Sequence, residues 1–60
     1  MKKNAIKIGM KVWYYPFLGG SERKAAIITS EPYEMCGTTC CKIDIMSSVV
    51  DIDNLEERND

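Results

Sequence analysis

No stretch of this chain holds an apolar helical period for three turns. Its hydrophobic residues fall instead in short β-branched and aromatic runs cut by glycine, proline and serine. A helical bundle is thereby excluded and strand chemistry dominates. Residues 5–8 alternate briefly before Gly9 and Met10 turn the chain. Residues 11–15 form a strand closed by Pro16, and the glycine pair in residues 18–22 makes a loop. Residues 24–30 make a second strand, ended by Glu31 and Pro32. Residues 33–36 and 40–46 are the arms of a hairpin, with Gly37 supplying the freedom in φ that a tight turn needs. Ser47 and Ser48 lead into a strand over 49–53. Residues 54–57 fit one helical or 3₁₀ turn, with Asp53 or Asn54 able to cap it.

Four or five short antiparallel strands in 60 residues predict an all-β fold closed into a small barrel. An open sheet of this size would leave one face and both edges in water. The expected organisation is a single domain over residues 1–60, ordered from 5 to 57, with short frayed tails. Alternation assigns the sides of each strand. The predicted core is Val12, Tyr14, Ala26, Ile28, Cys41, Ile43, Ile45, Val50, Ile52 and Leu55.

Length and composition narrow the function. Ordering a chain costs about 1.5 kcal/mol per residue, so a domain this small must commit nearly all its apolar side chains to the core. Little is left for a deep substrate cavity. The chain has no histidine, which removes imidazole general bases, Ser-His and Cys-His pairs and histidine metal ligands. The expectation is a protein that is not an enzyme and carries no cofactor. No apolar run approaches the roughly 18 residues of a membrane span, and lysines interrupt the segment that follows the basic start, so it does not read as a signal peptide. Three cysteines, an odd number, do not make a disulfide framework and suit a reducing cytoplasm.

Near-neutral net charge conceals an asymmetry. Residues 1–30 carry six cations against one acid, for +5, and residues 31–60 carry two cations against eight acids, for −6. In a barrel the two halves interleave into a mixed surface; the functional reading is a basic face for an acidic partner, or patches that pair copies of the chain.

The run Ile8-Gly9-Met10-Lys11-Val12-Trp13-Tyr14 resembles the opening G-x-x-V strand of SH3-like barrels, the class that holds the Tudor and KOW domains. Residues 25–28 and 41–45 resemble the middle strands of such a barrel, and residues 49–57 its closing strand and terminal turn. The resemblance is one of pattern over residues 6–57 and implies a binding module without catalysis, of a size typical of small phage and bacterial proteins. The acidic loop and A-L-Y-D-Y run of peptide-binding SH3 domains are absent, so binding of proline-rich peptides does not carry over. KOW domains that bind ribosomal RNA are richer in lysine and arginine than this chain.

Recognition chemistry centres on the aromatic residues. Trp13, Tyr15 and Phe17 stand at i, i+2 and i+4 on the side opposite the predicted core, and Tyr33 follows the second strand. Large rings left outward in so small a protein mark an interface. The alternatives are that the strand is inverted, with these rings in the core, or that the Leu18 loop covers them. Lys11, Arg23 and Lys24 would add charge complementarity.

Three further groups of residues fit structural roles. A zinc site needs four ligands, whereas Cys36, Cys40 and Cys41 supply three thiols, and two neighbours in a strand point to opposite sides. Cys41 therefore reads as core and the others as incidental, although Cys36 and Cys40 could face each other across the hairpin and form a disulfide. Gly19, Gly20 and Ser21 lack the lysine and following helix of a phosphate loop. Asp44, Asp51 and Asp53 lie on outward faces, where carboxylates serve solubility rather than catalysis or metal binding.

The expected function is a non-catalytic interaction module, a protein-binding accessory or inhibitor of phage or bacterial origin. It would use Trp13, Tyr15, Phe17, Tyr33, Lys11, Arg23 and Lys24 on a protein partner or in a homodimer. The alternative is a nucleic-acid or nucleotide binder, including an oligomeric sponge for a signalling nucleotide, with bases stacked on Trp13 or Tyr15.

Overall fold

A computed structural model describes residues 1–59. The fold is all-β, with six short strands and two 3₁₀ turns: η1 (Lys3–Ala5), β1 (Lys11–Tyr14), β2 (Lys24–Ile27), β3 (Tyr33–Met35), β4 (Thr38–Cys41), β5 (Val50–Asp51), η2 (Ile52–Asn54) and β6 (Leu55–Glu57). The strands form two antiparallel sheets of three, in the orders β2-β1-β6 and β3-β4-β5. Among the described residues no helix is long and apolar enough to cross a membrane.

The sheets are joined at two places. An antiparallel bridge pairs Ile28, just past β2, with Ile43, just past β4. Beside it Thr29 N–H donates to the Lys42 carbonyl, and Asp44 N–H to the Ile27 carbonyl, both at 2.9 Å. β2 and β3 are thus successive parts of one arm of a long bent hairpin, interrupted around Pro32, which has no N–H to give a ladder. The second joint is η2, which carries the chain directly from β5 in one sheet to β6 in the other.

Between the sheets lies a core of Ile6, Val12, Ala26, Ile28, Cys41, Ile43, Val50, Ile52 and Leu55. Two expected members differ. Tyr14 is only partly buried and packs against this cluster, and Ile45 is 43% exposed. Ile45 leaves the core because strand geometry stops at the bridge; residues 44 and 45 are a turn, where alternation no longer holds. Ile6 and Cys40 are buried beyond expectation. Cys40 sits on the central strand with Tyr33 and Asp51 as cross-strand neighbours, which cover a small side chain on either side.

The ends depart further from expectation. The strand expected over 5–8 is replaced by η1, with Ile6 turned inward, and by a turn at Ile8 and Gly9. At the N-terminus the Met1 ammonium donates to the Ile52 carbonyl at 3.2 Å, and the Met1 side chain packs on the core. The terminal turn expected over 54–57 lies earlier, as η2, and 55–57 pair with β1. Its cap is Asp51, whose carboxylate accepts from Asp53 N–H at 2.9 Å, instead of Asp53 or Asn54.

Candidate partner-binding face

The outer side of the β2-β1-β6 sheet follows from alternation along β1. Val12 is buried, so Lys11 and Trp13 turn outward. Register places Ala25 and Glu56 on either side of Trp13. Ala25 is small and leaves the indole uncovered by the sheet itself. Two guanidiniums cover it instead: Arg23 lies 3.9 Å and Arg58 5.4 Å from the ring centroid. Such cation–π pairs contribute about 0.5–1 kcal/mol at an exposed site.

Arg58 is held for this role. Its N–H donates to the Lys11 carbonyl at 3.0 Å, continuing the β1–β6 ladder, and its side chain reaches the Ala26 carbonyl at 3.4 Å. Tyr15 is clamped by Asn54. The Tyr15 N–H donates to the Asn54 carbonyl at 2.9 Å, and the Asn54 side-chain amide donates to the Tyr15 carbonyl at 2.8 Å. The Tyr15 hydroxyl donates to Glu56 at 3.3 Å. Trp13 and Tyr15 are consequently half-buried by side chains of their own chain. Neither belongs to the core cluster.

Beyond Tyr15 the chain bends into a loop whose turn is closed by Gly20 N–H on the Phe17 carbonyl at 3.0 Å. Gly19 there has φ +80°, which a side chain would strain. Phe17 and Leu18 are each 68% exposed at this turn. Lys11, Trp13, Tyr15 and Arg23 therefore share one side of the molecule. Lys24 does not join them, for it pairs with Tyr14 and so lies on the opposite side of the sheet. Tyr33 belongs to the other sheet.

Arg58, Glu56 and Asn54 went unrecognised in the sequence. They belong to a polar C-terminal stretch, and the one sign in it is that 56 and 58 share a parity once that stretch is a strand; Asn54 lies in the turn before it. The face carries two guanidiniums against one indole.

The remaining candidates resolve into structural roles. Cys36 is exposed in the hairpin turn, while Cys40 faces Tyr33 across the ladder, so the two cysteines are not opposed and all three are free. Burial pushes the Cys41 thiol above its usual range, with the neighbouring Cys40 adding to the effect. No group of three or more His, Cys, Asp or Glu side chains among the described residues is placed to hold a metal ion. Asp44 accepts from Ile27 N–H at 2.9 Å, so it and Asp51 organise the backbone.

Comparison with protein-family models, curated proteins and solved structures finds no match to this chain.

Proposed function

We propose that the chain is a small SH3-like β-barrel serving as a non-catalytic interaction module, which binds a protein through the outer side of the β2-β1-β6 sheet and the loop after β1. The barrel reading is supported by the bridge between Ile28 and Ile43 and by the 3₁₀ turn that links the sheets. The binding reading rests on one observation above all: Phe17 and Leu18 stand in water beside a strand whose Trp13 carries a guanidinium at 3.9 Å. Two large exposed apolar side chains in so small a protein, in the loop that follows Trp13 and Tyr15, are the makings of an interface core. A second copy, or an acidic protein in the reducing cytoplasm, would cover them. Nucleotide stacking is less well served, because a base would first have to displace Arg23 from the indole.

Native mass spectrometry of protein purified gently from a reducing lysate tests this reading. A bound protein or a second copy is expected, lost in the Phe17→Ser, Leu18→Ser double variant and retained in Met46→Ser, a substitution of an exposed residue elsewhere. A bare monomer that captures nothing, or a bound polyanion released steeply between low and moderate salt, would overturn it.

A further inference from the structure

β1 accompanies the bent arm for only part of its length. The ladder runs from Tyr14 opposite Lys24 to Lys11 opposite Ile27. Two more bonds extend it, from Ile28 N–H to the Met10 carbonyl at 3.0 Å and from Gly9 N–H to the Ile28 carbonyl at 2.8 Å. There the chain turns away at Gly9, whose φ of +89° permits the reversal. Past that point, among the described residues, the arm keeps its partner on the far side only: β3 is an edge strand whose neighbour is β4, and all its residues are exposed. The hairpin turn has two residues, Cys36 and Gly37, so Met35 and Thr38 form the closing bonded pair. Antiparallel alternation then points the N–H and C=O of Glu34 away from β4, into the place that β1 has left.

A groove of about 630 Å³ opens where β1 departs, lined by Ile6, Ile8 and Pro32, with Lys3, Lys7 and Glu31 around them. Ile8 is 62% exposed in it. Pro32 immediately precedes β3, so groove and open edge are continuous.

We propose that this edge and groove dock an extended acidic peptide segment of another protein, a site separate from the Trp13 face. The segment takes the place β1 vacates and exchanges backbone hydrogen bonds with Glu34. One of its apolar side chains enters the groove against Ile6, Ile8 and Pro32, and its carboxylates meet Lys3 and Lys7. Within the groove lining two lysines stand against the single Glu31, so the segment's carboxylates belong at that end, with an apolar residue opposite Glu34. A second copy fits the edge badly. Antiparallel self-pairing centred on β3 would set two Glu34 carboxylates directly opposite one another, which is destabilising.

The probe is a fluorescein-labelled decapeptide alternating aspartate with leucine and valine, titrated with the full chain and read by anisotropy. A version with lysine in place of aspartate, and one with alternate backbone nitrogens methylated, are expected to bind at least about tenfold more weakly. Glu34→Pro removes an outward N–H on an edge strand, where proline is tolerated, together with a carboxylate whose own loss would favour an acidic segment, so a fall in affinity reads the N–H; Ile8→Asp changes an exposed side chain. Each is expected to cost about tenfold or more in affinity while leaving the circular dichroism spectrum unchanged. Absence of binding by the acidic peptide, or binding indifferent to both substitutions, would overturn the proposal. So would a wild-type dimer that Glu34→Pro dissociates, since the occupant would then be a second copy.

Discussion

Cys41 illustrates how much a single buried side chain decides. It is fully buried, and its thiol is held above the usual range first by burial and then by Cys40. Burial disfavours the thiolate, so the folded state keeps its proton at a pH where the unfolded chain, with a thiol pKa of about 8.5, gives it up. The contribution to stability is therefore complete below about pH 8.5 and is lost as pH rises from there toward the folded-state value. Denaturant unfolding at about pH 7 and about pH 9.5 should show the wild type losing more stability than Cys41→Ala over the same interval, with a slope no steeper than about 1.4 kcal/mol per pH unit. Equal losses in the two proteins would show that Cys41 does not titrate differently on unfolding. The inward direction of this residue was legible in the sequence, because Lys42 and Asp44 mark the polar side of the return arm beside Ile43. The burial of Cys40 was not, because it depends on cross-strand neighbours and alternation speaks only of one strand at a time.

Among the elements, the β3–β4 hairpin carries a local conflict. Its two turn residues have φ +53° and +78°, the left-handed pair of a type I′ turn, and the first of them is Cys36. Glycine takes the second position without cost, but a residue with a Cβ and no local hydrogen-bonding side chain is strained at the first. Asparagine is the preferred residue there, so Cys36→Asn should stabilise the protein by about 0.5–1 kcal/mol, read as a raised thermal midpoint. A lowered midpoint would mean that the exposed thiol makes a contribution its surroundings do not reveal. The hairpin itself is legible from Gly37, yet its turn lies at 36–37 rather than the expected 37–39, because cysteine gives no turn signal. The same limit explains the C-terminal elements. Residues 52–57 contain both a capped turn and a strand, and their order follows from Leu55 reaching Tyr14 across the sheet, a contact no local pattern encodes.

At the scale of the molecule the question is whether two sheets of three strands behave as one body. Their shared features are few: the Ile28–Ile43 bridge, the η2 link, and a core to which both contribute. Ile28 and Ile43 are among the largest fully buried side chains, at 0% and 1% exposure, so the joint and the centre of the core coincide. Truncating a buried isoleucine to alanine costs about 2–5 kcal/mol, against a total stability of about 3–9 kcal/mol for a chain of this length. Ile43→Ala should therefore lower the unfolding midpoint sharply. Because Ile43 belongs to the joint, the loss should appear equally in both sheets. Trp13 fluorescence reports on β2-β1-β6, and alkylation of Cys40 and Cys41 reports on β3-β4-β5. Coincident midpoints by the two probes are expected in the wild type and in Ile43→Ala, displaced together in the variant. If the thiols became reactive while the Trp13 signal stayed native, the sheets would be separable units. The apolar clusters on the two sheets would then have to be treated as independent surfaces.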